Sequence, residues 1–468
     1  MVLDCGALTT LSPRCDSPVF VLTETETTQP RQTIVAPASG ACPAAVAVIR
    51  ISGPATDAIL EALCGGAPAP RHAALREIGR GAGGPIDRGL VLWFPAPASF
   101  TGDDMAELQV HGSRAVVQAV LDAALEIAGT RLAEPGEFAR RAFENGKLDL
   151  TAVEGLADLI AAETEAQRRQ ALAQSEGSLR RLYEGWRADL VKAQALMEAG
   201  LDFSDEADVA VGVTAQTEAI VVPLLDQIGK HLSDRSGERL RDGLRIVIAG
   251  PPNAGKSSLM NVLAKRDVAI VSEEAGTTRD VIEVHLDLGG LPVILADTAG
   301  IRAWISSVEG EGIRRALARA EDADLVLWVI DATDPLWQPP APLGAKTIIN
   351  ALNKRDIAPQ YVHIAEGRDC VPISAKTGEG LDGLIAALEA IARREIGGMG
   401  HATITRTRHR VELVSARDAL QDFVNHDLEP ELKAEELRIA ARHLGRLTGR
   451  IDVEEVLGAI FAEFCIGK

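Results

Sequence analysis

The sequence lacks the features of several common protein classes. Its longest apolar runs, such as Leu325 to Ile330, fall far short of the roughly 18 residues that a transmembrane helix needs. The six cysteines form no C-x-x-C pair and the nine histidines no H-x-x-x-H pattern, which disfavours zinc ribbons and disulfide scaffolds. Positive charge is also scarce: the chain has 48 Lys and Arg residues but 67 Asp and Glu residues, which gives a net charge of −19. The field of the whole molecule should repel a polyanion, so any contact with nucleic acid must be local.

The chain is long enough for more than one domain. Its 468 residues, 46% of them hydrophobic and 25% charged, have an ordinary globular composition and suffice for two or three hydrophobic cores. Residues 1–30 have no basic start followed by an apolar core, and they include a polar run rich in Thr and Glu. They therefore predict a disordered tail and no secretion signal, and we expect a cytoplasmic protein without a membrane partner.

Hydrophobic periodicity divides the rest of the chain into blocks. Residues 31–147 alternate short apolar runs with Gly and Pro breaks, which predicts an α+β domain. Over 148–238 apolar residues recur at three- and four-residue spacing, which is typical of long amphipathic helices. Residues 240–397 alternate strands rich in Val, Ile and Leu with helices, as in a parallel sheet covered on both faces, and helices return over 398–468. The predicted fold is a multidomain α/β protein whose parallel-sheet domain is inserted into a discontinuous helical domain.

A phosphate-binding loop follows the first strand of the inserted block. Residues 250–257 satisfy G-x-x-x-x-G-K-[ST] between a predicted strand and a predicted helix. The glycines let successive backbone N–H groups face phosphate oxygens at a helix N-terminus. Lys256 places a cation near the β and γ phosphates, and the Ser257 hydroxyl can bind Mg²⁺.

Three further motifs occur at predicted strand ends in the order that a GTPase needs. Asp297-Thr298-Ala299-Gly300 offers a carboxylate to magnesium and an N–H group to the γ-phosphate. The last residue of Asn353-Lys354-Arg355-Asp356 can accept both hydrogens of the guanine N1 and N2 edge, a donor pair that adenine lacks. Ser374-Ala375-Lys376 suits a loop on the guanine carbonyl. Together these motifs predict a Ras-like P-loop GTPase domain that prefers GTP to ATP.

The segment between the first two motifs has the features of a mobile switch. It contains residues 276–280, in which Thr278 is the candidate second protein ligand of Mg²⁺ while the γ-phosphate is present. Ras-like GTPases position the attacking water with a glutamine after the aspartate motif, but isoleucine and arginine follow here. Glu309 and Glu311 are carboxylates in the following loop, and spacing alone does not choose between them.

These motifs, their order and the insertion resemble the MnmE (TrmE) family of tRNA-modification GTPases over about residues 33–468. The most specific segments are 276–280, Leu201-Asp-Phe-Ser-Asp-Glu206, Pro135-Gly-Glu-Phe138, Lys147-Leu-Asp-Leu150 and Phe464-Cys-Ile-Gly-Lys468. The resemblance implies a homodimer whose GTPase domains meet across their switches, with K⁺ in place of an arginine finger. It also implies a heterotetramer with an FAD-dependent partner that forms a 5-carboxymethylaminomethyl or 5-aminomethyl group on the wobble uridine of certain tRNAs. The one-carbon unit would come from a tetrahydrofolate derivative, 5-formyl or 5,10-methylene.

The resemblance further implies roles for residues of the GTPase domain. Glu309 would be the catalytic residue that positions water, and K⁺ would be bound by Asn253, Thr277 and the carbonyls of Ser272 and Glu274. The GTP-binding residues would be Asn253, Ala254, Gly255, Lys256, Ser257, Ser258, Ser272, Glu273, Glu274, Ala275, Gly276, Thr277, Thr278, Asp297, Thr298, Ala299, Gly300, Asn353, Lys354, Arg355, Asp356, Ser374, Ala375 and Lys376.

The same resemblance makes residues 31–147 a folate-binding and dimerisation domain. Arg50, Glu107, Lys147 and the terminal Lys468 would bind the folate, because a carboxylate pairs with a pterin edge and Arg or Lys with a glutamate tail. Cys465 is a candidate modification-site residue, with burial as a small apolar side chain as the alternative.

Two basic clusters are the candidate tRNA footprint, although such clusters are also typical of solvated helix faces. They consist of Arg406, Arg408, His409 and Arg410, and of Arg438, Arg442, Arg446 and Arg450. A rival function is a non-catalytic, GTP-regulated switch in ribosome assembly, which would not need a folate site.

Overall fold

The structure is a computed structural model that describes most of the chain. The described residues are 31–79, 84–202, 207–270, 283–297, 323–339, 347–361, 370–397, 402–451, 454–462, 464 and 467. Two compact units divide the chain: the first takes residues up to 96 together with 103–132, and the second takes 97–102 together with 133–468. Within the described residues, no helix has both the length and the apolar character that crossing a membrane requires.

The first unit is a mixed sheet of six strands with two helices packed on one face. Its elements are β1 (Thr33–Pro37), β2 (Ala44–Ser52), α1 (Thr56–Cys64), β3 (Ala74–Ile78), β4 (Asp87–Phe94), β5 (Met105–Gly112), α2 (Arg114–Leu125) and β6 (Thr130–Leu132). The strand order is β3-β4-β5-β2-β1-β6, and β1 pairs antiparallel with β2 but parallel with β6. Alternate side chains such as Ile49, Ile51 and Leu108 pack against the two helices, as the period of two requires. The predicted α+β fold of this block is confirmed.

The second unit consists of helices and of a sheet domain that is inserted between them in the sequence. Its described helices are α3 (Glu137–Glu144), α4 (Leu150–Ala161), α5 (Glu165–Ser175), α6 (Ser178–Asp202), α7 (Ala207–Ser233), α8 (Ser236–Asp242), α9 (Lys256–Leu263), α10 (Leu381–Ile396), α11 (Thr407–Asn425), α12 (Pro430–Leu447) and α13 (Glu454–Ala462). Side chains at N-caps fix two of the starts, Asp149 for α4 and Thr164 in a capping box for α5.

Helices that precede and follow the insertion share one hydrophobic core. Leu190 of α6 and Leu224 of α7 belong to the same buried cluster as Leu420 of α11 and Leu444 of α12. Apolar residues at three- and four-residue spacing place one stripe of each helix in this core. The prediction of a helical domain in two sequence pieces is therefore confirmed.

The inserted domain is built on a second sheet of six strands. They are β7 (Leu244–Ala249), β8 (Glu283–Leu288), β9 (Leu291–Asp297), β10 (Leu325–Asp331), β11 (Thr347–Asn353) and β12 (Cys370–Pro372). The order is β12-β11-β10-β7-β9-β8, and every pair is parallel except β8 with β9. Every residue of β10 is buried, as expected for a central strand covered on both faces. The carboxyl ends of β7, β9, β10 and β11 meet at one edge, where open α/β sheets bind ligands.

The helical part contacts the inserted domain at the turn between β8 and β9. The backbone N–H of Ala166, in the first turn of α5, donates a hydrogen bond of 3.1 Å to the carbonyl oxygen of Gly290. Ala166 belongs to the core of the inserted domain, and the carboxylate of Glu163 forms a hydrogen bond of 3.0 Å with Nδ1 of His285 of β8. The start of α5 therefore holds the hairpin whose second strand ends at Asp297.

Candidate nucleotide-binding site

The phosphate loop leaves β7 and enters α9 along a path that requires glycine at two positions. Gly250 has a φ of +154°, and a Cβ there would lie 2.3 Å from the carbonyl oxygen of Val329 on β10. Gly255 has a φ of +94°, and its Cβ would lie 2.2 Å from Nδ2 of Asn353. Both glycines of the motif are thus fixed by backbone conformation and by close approach of neighbouring strands.

The polar residues of the loop surround the start of α9. The Lys256 ammonium donates hydrogen bonds of 2.9 Å to the carbonyl oxygens of Gly250 and Pro251, so it lies over the loop. Asn253 adopts a φ of +63° and is exposed, and Ser257 is half-buried in the first turn of α9. Ala254 is buried and Ser258 is exposed. The N–H groups of this first turn and the ammonium together make a site for phosphate.

Asn353 joins the phosphate loop to the two predicted guanine-binding loops, residues 353–356 and 374–376. It is only 2% exposed at the end of β11. Its Nδ2 donates a hydrogen bond of 2.7 Å to the carbonyl oxygen of Ala254, and its Oδ1 accepts one of 2.9 Å from the N–H of Ala375. The structure therefore brings the first, third and fourth sequence motifs together through one buried amide.

Asp356, the predicted reader of the guanine edge, is held by the neighbouring loop. Its Oδ1 accepts a hydrogen bond of 2.8 Å from the hydroxyl of Ser374, which is fully buried. Arg355 forms an ion pair of 2.9 Å with Glu379, and Lys376 is exposed. The carboxylate of Asp356 is half-buried and oriented, as recognition of a base edge requires.

Asp331 belongs to this edge and sequence reasoning missed it. It is the last residue of β10 and is paired in register with Asn353. Its carboxylate accepts hydrogen bonds from the Lys354 ammonium and from the hydroxyl and N–H of Thr333. Burial raises the pKa of Asp331, but these donors outweigh burial and lower it, so the residue is ionised. The available signal was an aspartate at the end of an apolar strand, the same signal that identified Asp297.

Several predicted GTPase residues lie outside the described residues. These are Ser272, Glu273, Glu274, Ala275, Gly276, Thr277, Thr278, Thr298, Ala299, Gly300, Glu309 and Glu311. Asp297 is described as the end of β9, in register with Ile248 of β7, which places its backbone beside the phosphate loop. The assignments of the catalytic glutamate, of the K⁺ ligands other than Asn253 and of the second Mg²⁺ ligand stay predictions.

Of the four predicted folate residues, two are neighbours in the first unit. Arg50 on β2 and Glu107 on β5 are register partners, and Nε and Nη2 of Arg50 donate hydrogen bonds of 3.1 and 2.9 Å to Oε1 of Glu107. They alternate with core residues, so they lie on the sheet face away from α1 and α2. Lys147 is exposed in the second unit, and Lys468 and Cys465 lie outside the described residues.

The first predicted tRNA cluster forms ion pairs and hydrogen bonds within the helical part, which weakens it as an RNA surface, and its role stays a prediction. Arg408 binds Glu154 with two hydrogen bonds of 3.0 Å, and His409, fully buried, binds the same carboxylate at 2.7 Å. Arg406 pairs with Asp158 at 2.8 Å, and Arg410 pairs with Glu238 at 2.8 Å. The three arginines therefore pair with carboxylates within the helical part, of which Glu154 is fully buried, and they do not form a free basic surface.

The second basic cluster, on α12 and after it, is more exposed. Arg438 forms surface ion pairs with Glu198 and Glu435, and Arg450 forms one with Glu184. Arg442 is exposed, and Arg446 is half-buried. Surface pairs of this kind are weak and open to competition by a phosphate, so a tRNA footprint here stays a prediction.

Comparison with known proteins agrees with this architecture. Residues 33–147 match the family model of the GTP-binding protein TrmE N-terminus, and residues 150–465 match that of the MnmE helical domain. The chain is 51% identical to the tRNA modification GTPase MnmE of Brucella anthropi, over 94% of this chain and 98% of the relative. It is also 51% identical to the protein of the same name from Rhodospirillum rubrum, over 93% and 99%.

A solved G domain of the FeoB iron transporter of T. maritima is 29% identical and covers 31% of this chain and 98% of that one, with a TM-score of 0.25. A TM-score this low adds nothing to the assignment, which depends on relatives that span the chain. Two family models and half-identical relatives of matching length establish that the chain belongs to the MnmE family of tRNA modification GTPases.

Proposed function

We propose that this GTPase is stimulated by K⁺ and by dimerisation, and that it modifies the wobble uridine of certain tRNAs together with an FAD-dependent partner. In the proposed reaction a tetrahydrofolate derivative supplies the one-carbon unit of a 5-carboxymethylaminomethyl or 5-aminomethyl group. The observation that carries the GTPase part is the Asn353 amide, because it fixes the guanine loops against the phosphate loop. Phosphate and base would therefore be held at a set distance.

Residues of the phosphate loop fit the two proposed cations. Ser257 supplies a hydroxyl in the first turn of α9, a hard oxygen ligand of the kind that Mg²⁺ prefers. Asn253 supplies an exposed amide oxygen from a left-handed position in the loop. A K⁺ ion bound there would neutralise charge that develops between the β and γ phosphates. Lys256 would hold the phosphates, and Glu309 would orient the attacking water.

The pairing of Arg50 with Glu107 supports the folate proposal. Both side chains are mostly shielded from water, with exposed fractions of 19% and 18%, and they lie on the sheet face opposite α1 and α2. A carboxylate held by an arginine is ionised and oriented, which suits the donor edge of a pterin. Lys147 and Lys468 would serve the glutamate tail.

Exposed apolar side chains on the same sheet support the homodimer. Leu75 of β3 and Leu90 of β4 are register partners, and 57% and 37% of their surfaces are exposed. Val46 of β2 is also exposed. Exposed apolar residues that share one sheet face are typical of a protein interface, and a second copy of the chain is the occupant that the proposal names.

Calorimetry with the full-length chain separates this proposal from the ribosome-assembly switch. We expect 5-formyl-tetrahydrofolate to bind the wild type, and Glu107→Gln to weaken binding at least tenfold because a charge-assisted hydrogen bond is lost. Glu77→Gln, on exposed β3 of the same sheet, is the matched control and should bind as the wild type does. Failure of the wild type to bind the folate would favour the switch.

Nucleoside analysis of tRNA tests the modification directly. Cells that lack this chain should lose the modified wobble uridine, and a copy of the wild-type gene should restore it. Unchanged tRNA nucleosides in the deletion would contradict the proposed reaction. Turnover of GTP in K⁺ and in Na⁺ buffers tests the cation, since equal rates would reject the K⁺ site.

A further inference from the structure

Asp331 is a buried carboxylate at the nucleotide-binding edge that none of the sequence motifs contains. It ends β10, which lies between β7, the strand that leads into the phosphate loop, and β11, the strand that ends at Asn353. Its exposed fraction is 8%. A buried carboxylate needs partners, because an unpaired charge away from water is costly.

The two oxygens of Asp331 bind different parts of the chain. Oδ1 accepts hydrogen bonds of 2.9 and 2.6 Å from the backbone N–H and the hydroxyl of Thr333, which close the turn after β10. Oδ2 accepts a hydrogen bond of 2.5 Å from the ammonium of Lys354. One oxygen therefore stabilises a local turn, and the other reaches the guanine-binding motif.

The side-chain contact of Lys354 stabilises an unusual backbone conformation at that residue. Its φ is +67°, a conformation that is uncommon for a residue with a side chain and that costs free energy. The preceding Asn353 holds the phosphate loop, and Asp356 follows two residues later. A buried, charged partner for the lysine offsets the cost of this conformation, and the Asp331 carboxylate is that partner.

We propose that Asp331 is a positioning residue for guanine-nucleotide binding that acts through Lys354. By fixing the lysine side chain, it fixes the backbone that carries Asn353 and Asp356 on either side. This inference deepens the guanine site proposed above and depends on it. The alternative role is purely structural: Asp331 would close the turn at Thr333 and have no influence on the nucleotide.

The substitution Asp331→Asn separates the two roles. An asparagine oxygen can still accept from Thr333, whereas its NH₂ group cannot accept from the Lys354 ammonium. We expect the full-length variant to bind GDP about tenfold more weakly, which is the effect expected when one charge-assisted hydrogen bond is lost. For the same reason the KM for GTP should rise while kcat stays unchanged. Thr333→Val is the matched control, and its GDP affinity should stay within about twofold of the wild type.

A double-mutant cycle with Lys354→Met provides the decisive measurement. In the Lys354→Met background, Asp331→Asn should no longer weaken GDP binding, because the ammonium that it positions is gone. An equal loss in both backgrounds, or an equal loss from Thr333→Val, would overturn the proposal.

Thermal unfolding checks that the variants fold. If Asp331→Asn does not fold, Lys354→Met can still refute the proposal, since unchanged GDP affinity in that variant would overturn it. A wild type that binds ADP as tightly as GDP would reject the guanine site itself, which is a different failure.

Discussion

Glu154 and His409 are 255 residues apart in the sequence, and they form a fully buried hydrogen bond of 2.7 Å. The bond joins α4, before the inserted GTPase domain, to α11, after it. Arg408 binds the same carboxylate from the next position along the chain. The two sequence pieces of the helical part are therefore connected by charge as well as by their shared apolar core.

This network predicts loss of stability in acid. Burial raises the pKa of Glu154, but His409 and the arginines outweigh it and lower the value to about 2. Burial and the two arginines lower the pKa of His409. A group with a depressed pKa stabilises the fold above its unfolded value, so Glu154 contributes fully above about pH 4.5 and loses its contribution towards pH 2. The stabilisation is on the order of 3 kcal/mol.

The measurement compares unfolding of the wild type with that of Glu154→Gln. At pH 7 the variant should lose about 3–5 kcal/mol, because two arginines are left partly unpaired in the interior. The difference should shrink as the pH falls below 4.5. Glu165→Gln is the control: its carboxylate also binds two arginines but lies at an exposed position, so we expect a much smaller change. A difference in unfolding free energy between wild type and Glu154→Gln that does not vary with pH would contradict this role of Glu154.

A second prediction concerns the amide that joins the nucleotide loops. Asn353→Ala leaves the carbonyl of Ala254 and the N–H of Ala375 without their partner. We expect GDP affinity to fall about 10- to 100-fold, which corresponds to about 1.5–3 kcal/mol. Gln360→Ala, at an exposed position of the nearby 3-10 helix Pro359–Tyr361, is the control. GDP titration of both variants tests the role, and equal affinities would exclude it.

A third prediction concerns the phosphate loop. Gly250→Ala would place a Cβ 2.3 Å from the backbone oxygen of Val329, so the loop must shift away from β10. We expect a cost of about 1–3 kcal/mol in stability and loss of stabilisation by GDP. Gly185→Ala in α6 is the contrasting variant, because beyond its own turn of helix no atom of the described residues lies within 4 Å of the added carbon. That change should stabilise the helix by up to about 1 kcal/mol, and thermal unfolding with and without GDP distinguishes the two variants.

The sequence predicted those features that are local along the chain. Strands such as β7 and β10 were recognisable as short apolar runs bounded by turn residues, and the phosphate loop as a fixed spacing between them. The order of the motifs along the chain also predicted that they meet at one sheet edge, because parallel strands share their carboxyl ends. The Asn353 bonds bear this out for three of the four motifs.

The features that sequence reasoning missed depend on partners far along the chain. Asp331 meets Lys354 only because β10 and β11 are neighbours in register, which no spacing rule contains. Arg408 was predicted to be a surface cation, but its partner Glu154 lies 254 residues away. From composition alone such a residue is assumed to be available for RNA, but in the folded chain it binds a carboxylate.

The difference in exposure between the two basic clusters gives a prediction for tRNA binding. Arg442→Ala combined with Arg450→Ala should weaken tRNA binding and reduce its dependence on salt, because two exposed cations of the helical part are lost. Arg408→Ala is the comparison: it should lower thermal stability by several degrees, since it leaves the buried Glu154 with fewer partners. At a temperature where both variants are folded, Arg408→Ala should retain the salt dependence of the wild type. The reverse result, with a reduced salt slope only in Arg408→Ala, would place the RNA surface at the first cluster.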